Sequence, residues 1–219
     1  MRCALLVCAL AMAAPGIGAA APDPAAAGPP GLVRVPSRTF DELQRQPGAD
    51  LRGFRRFVID TPQVTFRPDW LKRMNESRSV TRRIEPADAD QIAERLAGAM
   101  QEALAQALAA QGFERAPAPA PGVLQFSPSV TDLVVYSPFV PAPGIDVGIV
   151  HREAGEATMR LEVRDASSGT VLARIADHAP ARTLGGFEQA TSVSNLFWFE
   201  GMFRNWAGNC VRELRSAPR

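Results

Sequence analysis

Lysine is nearly absent from this chain. Lys72 is the only one, and the other basic residues are arginines. The 24 basic residues are balanced by 23 acidic ones, which argues against a protein that works through a broad nucleic-acid footprint. Histidine occurs twice and cysteine three times, with no C-x-x-C or H-x-x-x-H spacing, so no zinc-ligand set is legible. No glycine-rich phosphate fingerprint and no G-x-S-x-G elbow occurs. Long apolar runs are missing too: the longest, Ala4 to Ala14, is too short to span a bilayer. Against these absences stand 46% apolar and 21% charged residues among 219, the proportions of a globular chain with one domain, or two at most.

The short apolar run has the form of a secretory leader. Arg2 precedes it, Pro15 and Gly16 follow it, and Gly18-Ala19-Ala20 offers small residues for cleavage after Ala20. Residues 1–20 are therefore expected to be a signal peptide, which places the mature chain in the periplasm. Cys8 has too little apolar sequence before it to be a lipidation site, so a lipid anchor is not expected. Without the leader only Cys210 remains, which leaves no internal disulfide. No transmembrane segment is expected after the leader is removed. The arginine, alanine and proline bias fits a bacterium with GC-rich codons.

Residues 21–50, opening with the Pro/Ala-rich run at 22–30, read as a linker or extended arm. Order is expected from Leu51 to about residue 216, as a single domain. Residues 55–60 and 63–66 read as strands interrupted at Thr61-Pro62. Residues 71–85 read as a surface loop or short irregular helix. Pro86 opens a helix in which Ile92, Leu96, Met100, Ala103 and Ala107 form one stripe, and Gly112 stops it. A strand starts at Val123 and runs towards Val135. Because a helix separates it from the earlier strands, the crossover should be parallel. Residues 136–150 form an apolar loop. Met159, Leu161 and Val163 alternate with charged residues up to the turn Asp165–Gly169, and Val171, Ala173 and Ile175 continue the alternation beyond it, which is a hairpin. Residues 178–190 read as a second loop. Leu196, Phe199, Phe203, Trp206, Cys210 and Leu214 form the stripe of a last helix, over about 194–215. The expected fold is α+β: a mixed β-sheet in the order β-α-β-β-β-α, with two amphipathic helices packed on one face.

Three stretches and the terminal helix carry a family likeness. Residues 54–69 (FRRFVIDTPQVTFRPD), Gly122-Val123-Leu124 with Thr131-Asp132-Leu133, residues 155–169 (GEATMRLEVRDASSG), and Phe203-x-x-Trp206-Ala207 occur in that order. Over about residues 40–216 the chain resembles the bacterial domain-of-unknown-function family 3313. The resemblance implies an exported envelope protein, often a lipoprotein, and no catalytic residues. This chain departs from that pattern in lacking a lipidation cysteine.

Within the chain, chemistry-bearing residues mostly have plain structural readings. His151 and His178 read as exposed loop histidines, and Cys210 as a buried thiol on the aromatic stripe. Asp88, Asp90 and Glu94 suit a solvated first helical turn. Two segments stand out. Nine cations fall within residues 52–83 against Asp60, Asp69 and Glu76. Of these, Arg67, Lys72, Arg73, Arg78, Arg82 and Arg83 are the expected contacts for an anionic surface, since guanidinium forks bind phosphate and carboxylate. In the loop 136–150, Phe139, Val140, Ile145 and Val147 are candidate contacts for a partner or lipid, with burial as core the competing reading. The expected function is that of a non-catalytic accessory or binding protein of the cell envelope, with no cofactor, no metal and no nucleic-acid partner. Its partner would be an envelope protein or an anionic lipid or glycan. The alternative is a carrier or sensor of an anionic lipid or glycan.

Overall fold

The computed structural model describes residues 31–76, 78–80, 83–136, 153–182 and 192–216. In chain order these form β1 (Val33–Arg34), β2 (Glu42–Arg45), β3 (Arg56–Ile59), β4 (Gln63–Phe66), α1 (Trp70–Glu76), α2 (Pro86–Ala110), β5 (Glu114–Arg115), β6 (Val123–Val135), β7 (Glu153–Asp165), β8 (Val171–Arg182) and α3 (Ser192–Arg215). The strands lie in the order β1-β2-β8-β7-β6-β3-β5, with β4 also beside β6. β3 and β4 run parallel to β6, as the helical crossover requires, and β6, β7, β8 and β2 pair antiparallel. The fold is the expected α+β class with a mixed sheet, and α1 is a third helix.

Alternation decides which side of the sheet is covered. Leu124, Phe126 and Val130 of β6, Met159, Leu161 and Val163 of β7, and Ala173 and Ile175 of β8 are buried, while Gln125, Ser127 and Ser129, Arg160 and Glu162, and Arg174 are not. The covered side lies beneath α2, through Leu96, Met100, Leu104 and Leu108, and α3, through Phe199, Phe203, Trp206, Cys210 and Leu214. α2 leans on β4, β5 and β6, α3 leans on β7 and β8, and the two helices pack on each other. Removing each large apolar side chain from water contributes about 2 kcal/mol. At the hairpin turn Asp165 accepts from the amides of Ser167 (2.8 Å) and Ser168 (3.3 Å), and Gly169 has φ +70°.

β6 is a central strand that contains Pro128. Phe126 directs its carbonyl towards β3, where it accepts from Asp60 N at 2.9 Å. Pro128 is two residues on and points the same way, so its missing N–H faces the interruption at Thr61-Pro62 between β3 and β4. The proline thus sits where no ladder bond is available to lose.

Two further features depart from the expected pattern. The hairpin strands are longer than their alternating cores, and β8 takes in residues 178–182, which read as loop. Order also begins well before Leu51. β2 pairs with residues 173–176 of β8, and Phe40 and Leu43 are buried. Arg45 is only 8% exposed and donates to Leu214 O (3.2 Å) and Ser216 O (3.4 Å) at the end of α3. The segment 31–50 belongs to the same compact unit as the sheet rather than to a loose arm.

β6 carries a bulge between Thr131 and Val134, with Asp132 at φ +53°. Opposite it, Gly155 lies so close that a Cβ would stand 1.9 Å from Val134 O and 2.8 Å from the Phe199 ring. Backbone cannot give way as a flexible side chain can. Gly155→Ala is expected to destabilise the protein by about 3 kcal/mol or more, read as a lowered urea midpoint.

Candidate functional site

The basic segment divides into cations that hold the fold together and cations that face solvent. Arg52 pairs with Asp50 at 3.0 Å, and Arg56 donates to Pro121 O at 3.2 Å. Arg67 follows β4; its amide bonds Leu133 O (3.0 Å), and its guanidinium pairs with Glu156 of β7 at 2.7 Å. Arg67 thus braces the sheet while its side chain stays 38% exposed.

After Arg67 the chain turns at Asp69, φ +64°, into α1. Trp70 anchors that helix: it is buried, stacks on Phe66 at 4.2 Å between ring centroids, and donates from Nε1 to Val135 O at 3.1 Å. Leu71 and Met74 pack against the core, which turns Lys72 and Arg73 outward. Asn75 then closes the following loop. Its Nδ2 donates to Ile84 O (2.9 Å) and its Oδ1 accepts from Ile84 N (2.8 Å), and Ile84 is itself buried. Arg78 is half-buried within that loop, and burial lowers its pKa below the usual arginine value. Arg83 is exposed at the far side, two residues before Glu85, whose amide bonds the Asp88 carboxylate (2.8 Å) at the start of α2. Lys72 and Arg73 on α1 and Arg83 in its closing loop are each exposed, with no ion pair among the described residues. Arg82, Phe139, Val140, Ile145, Val147 and His151 lie outside the described residues.

The uncovered side of the sheet pairs several of its own charges. Glu162 is held between Arg164 and Arg174. Asp60 accepts from Gln125 (2.9 and 3.0 Å) and from the Ser127 hydroxyl (2.5 Å). His178 stands in β8 rather than in a loop, 3.7 Å from Glu156 and 3.3 Å from Thr158 Oγ1. Beneath the sheet Cys210 is fully buried; burial, then the charge of Asp177, pushes its thiol well above the usual range, so it stays protonated. No group of three metal-ligating side chains occurs among the described residues.

A family model matches residues 41–210. The chain belongs to the DUF3313 family, proteins of unknown function. No curated protein matches it. Among solved structures it is similar to the PelC dodecamer from Paraburkholderia phytofirmans, at 13% identity and TM-score 0.41, over 80% of this chain and 98% of that one. It is also similar to a PDZ domain protein from Parabacteroides distasonis, at 10% identity and TM-score 0.42, over 81% of this chain and 35% of that one. The family match includes β2, in accord with its place in the sheet.

One concave feature of the structure is not signalled by the sequence. A cleft of about 850 Å³ lies between the β1–β2 hairpin and the end of α3, and Arg38, Arg45, Gln46 and Glu213 are among its lining residues. It was hidden because residues 31–50 read as a linker; the one local clue is Ser37, whose hydroxyl accepts from the amides of Thr39 and Phe40, both at 3.1 Å.

Two outcomes test this geometry. Asn75→Ala should leave the sheet intact but speed amide exchange at residues 78–80, 83 and 84, with a loss of about 1–2 kcal/mol in global stability. Asp177 is half-buried, and burial, then the nearby Asp41 charge, raises its pKa. The folded state therefore holds that proton more tightly than the unfolded chain, and this contribution fades as pH rises from about 3.9 through the raised folded value. Asp177→Asn should raise the melting temperature relative to the parent at pH 7 and leave it nearly unchanged at pH 3.

Proposed function

We propose that this chain is an exported, non-catalytic protein of the cell envelope that docks on an anionic surface through α1 and the loop that follows it. The observation that carries this reading is the outward set Lys72, Arg73 and Arg83 on a base fixed by Trp70 and the Asn75–Ile84 clamp. Cations held on a fixed base lose little entropy on meeting phosphate or carboxylate groups, and guanidinium forks favour those groups. The leader-like residues 1–20 support export, and the mutual pairing of charges on the uncovered sheet face supports a binding role over a catalytic one.

The test is co-sedimentation with vesicles of phosphatidylcholine containing 30% phosphatidylglycerol. Binding should fall as salt rises. The triple variant Lys72→Glu, Arg73→Glu, Arg83→Glu should bind at least tenfold more weakly with an unchanged melting temperature. Equal binding by parent and variant, or binding that ignores salt, overturns the docking surface. Fractionation of cells expressing the chain with and without residues 1–20 tests export separately.

A further inference from the structure

The cleft beside α3 is built around a buried cation. Arg45 is 92% buried, as its 8% exposure implies, and no carboxylate lies within ion-pair distance of it among the described residues. Two of its five N–H groups meet the carbonyls of Leu214 and Ser216. The negative end of a helix dipole is equivalent to roughly half a charge, so a helix end alone leaves such a guanidinium under-compensated. Gln46 lines the same cleft, and its Oε1 is buried with no donor among the described residues. One wall therefore carries a guanidinium with no carboxylate partner, beside an acceptor that is sealed without a donor.

The rest of the lining extends that chemistry. Arg38 adds an exposed guanidinium and Glu213 a carboxylate that can accept from hydroxyls, while Val35 and Pro47 give apolar faces. The walls are set in advance. Ser37 closes the turn that carries Arg38, Val35 N bonds Leu43 O at 2.8 Å, and Gln46 N bonds Leu172 O at 2.9 Å. A volume of about 850 Å³ suits a ligand of one or two rings.

We infer that this cleft binds a hydroxylated carboxylate of the acidic-sugar class. The carboxylate faces Arg38, with the positive charge of Arg45 behind it, hydroxyls meet Glu213, and the C–H faces of the ring lie on Val35 and Pro47. This site is separate from the surface on α1 and stands or falls without it.

The experiment is isothermal titration calorimetry of the full chain with digalacturonic acid, its methyl ester and a neutral galactose disaccharide. Saturable binding of the acid is expected, at least tenfold tighter than that of either neutral compound. Arg38→Ala, an exposed position with no packing role, should weaken acid binding at least tenfold and leave the melting temperature unchanged. The triple α1 variant should bind the acid as the parent does, which separates this site from the vesicle result. Absence of heat from folded protein at millimolar acid overturns the inference, as does equal affinity for the ester or an Arg38→Ala variant that binds like the parent.

Discussion

Everything in this molecule follows from a sheet with one apolar side. β6, β7 and β8 alternate so regularly that one face is almost wholly apolar, and it must be covered. The two long helices do so side by side: α2 presents small residues such as Ala103 and Ala107 among its leucines, while α3 presents Phe199, Phe203 and Trp206. Once that layer is fixed, the position of every other segment is a matter of which edge or end it can reach.

The opposite face obeys the complementary demand. Strand residues that cannot be buried still stand close together, and opposite charges at facing positions settle the arrangement. Glu162 lies across from Arg174 in register and takes Arg164 from its own strand. Arg67 reaches Glu156 from the end of β4 and so fixes where the chain leaves the sheet for α1. That a basic segment supplies both a sheet brace and an outward patch is a direct result: the residues nearest the sheet are consumed by it, and those one turn further along are not.

The elements with strong periodicity were readable from the sequence. α2 shows its stripe and its terminal Gly112, β7 and β8 announce themselves by alternation around Asp165–Gly169, and the parallel relation of β6 to the earlier strands follows from the helix between them. What could not be read is equally specific. β2 has the sequence Glu-Leu-Gln-Arg, a single apolar residue among polar ones, and nothing local says that Arg45 turns inward to meet a helix end about 170 residues away. Trp70 stands between the strand at 63–66 and the segment at 71–85 with no periodic partner in the sequence, yet it anchors α1. Of the basic residues expected to share one surface, Lys72, Arg73 and Arg83 are exposed, Arg78 is half-buried and Arg67 is paired with Glu156, because charge along a sequence carries no information about which cations find partners across the sheet.

The inward arginine of β2 also fixes an order of events. β2 leaves the ribosome early, yet the strand it pairs with and the helix end it caps are made some 130 and 170 residues later. Until then β2 has neither partner, so this edge cannot close before the last part of the chain is present, and closing it joins the two ends of the described chain. Loosening the final turn of α3 would remove the two bonds Arg45 makes there, while the β2–β8 ladder and the buried Phe40 and Leu43 would still hold this edge, so Arg45 ties the beginning of the fold to its end without being its sole fastening.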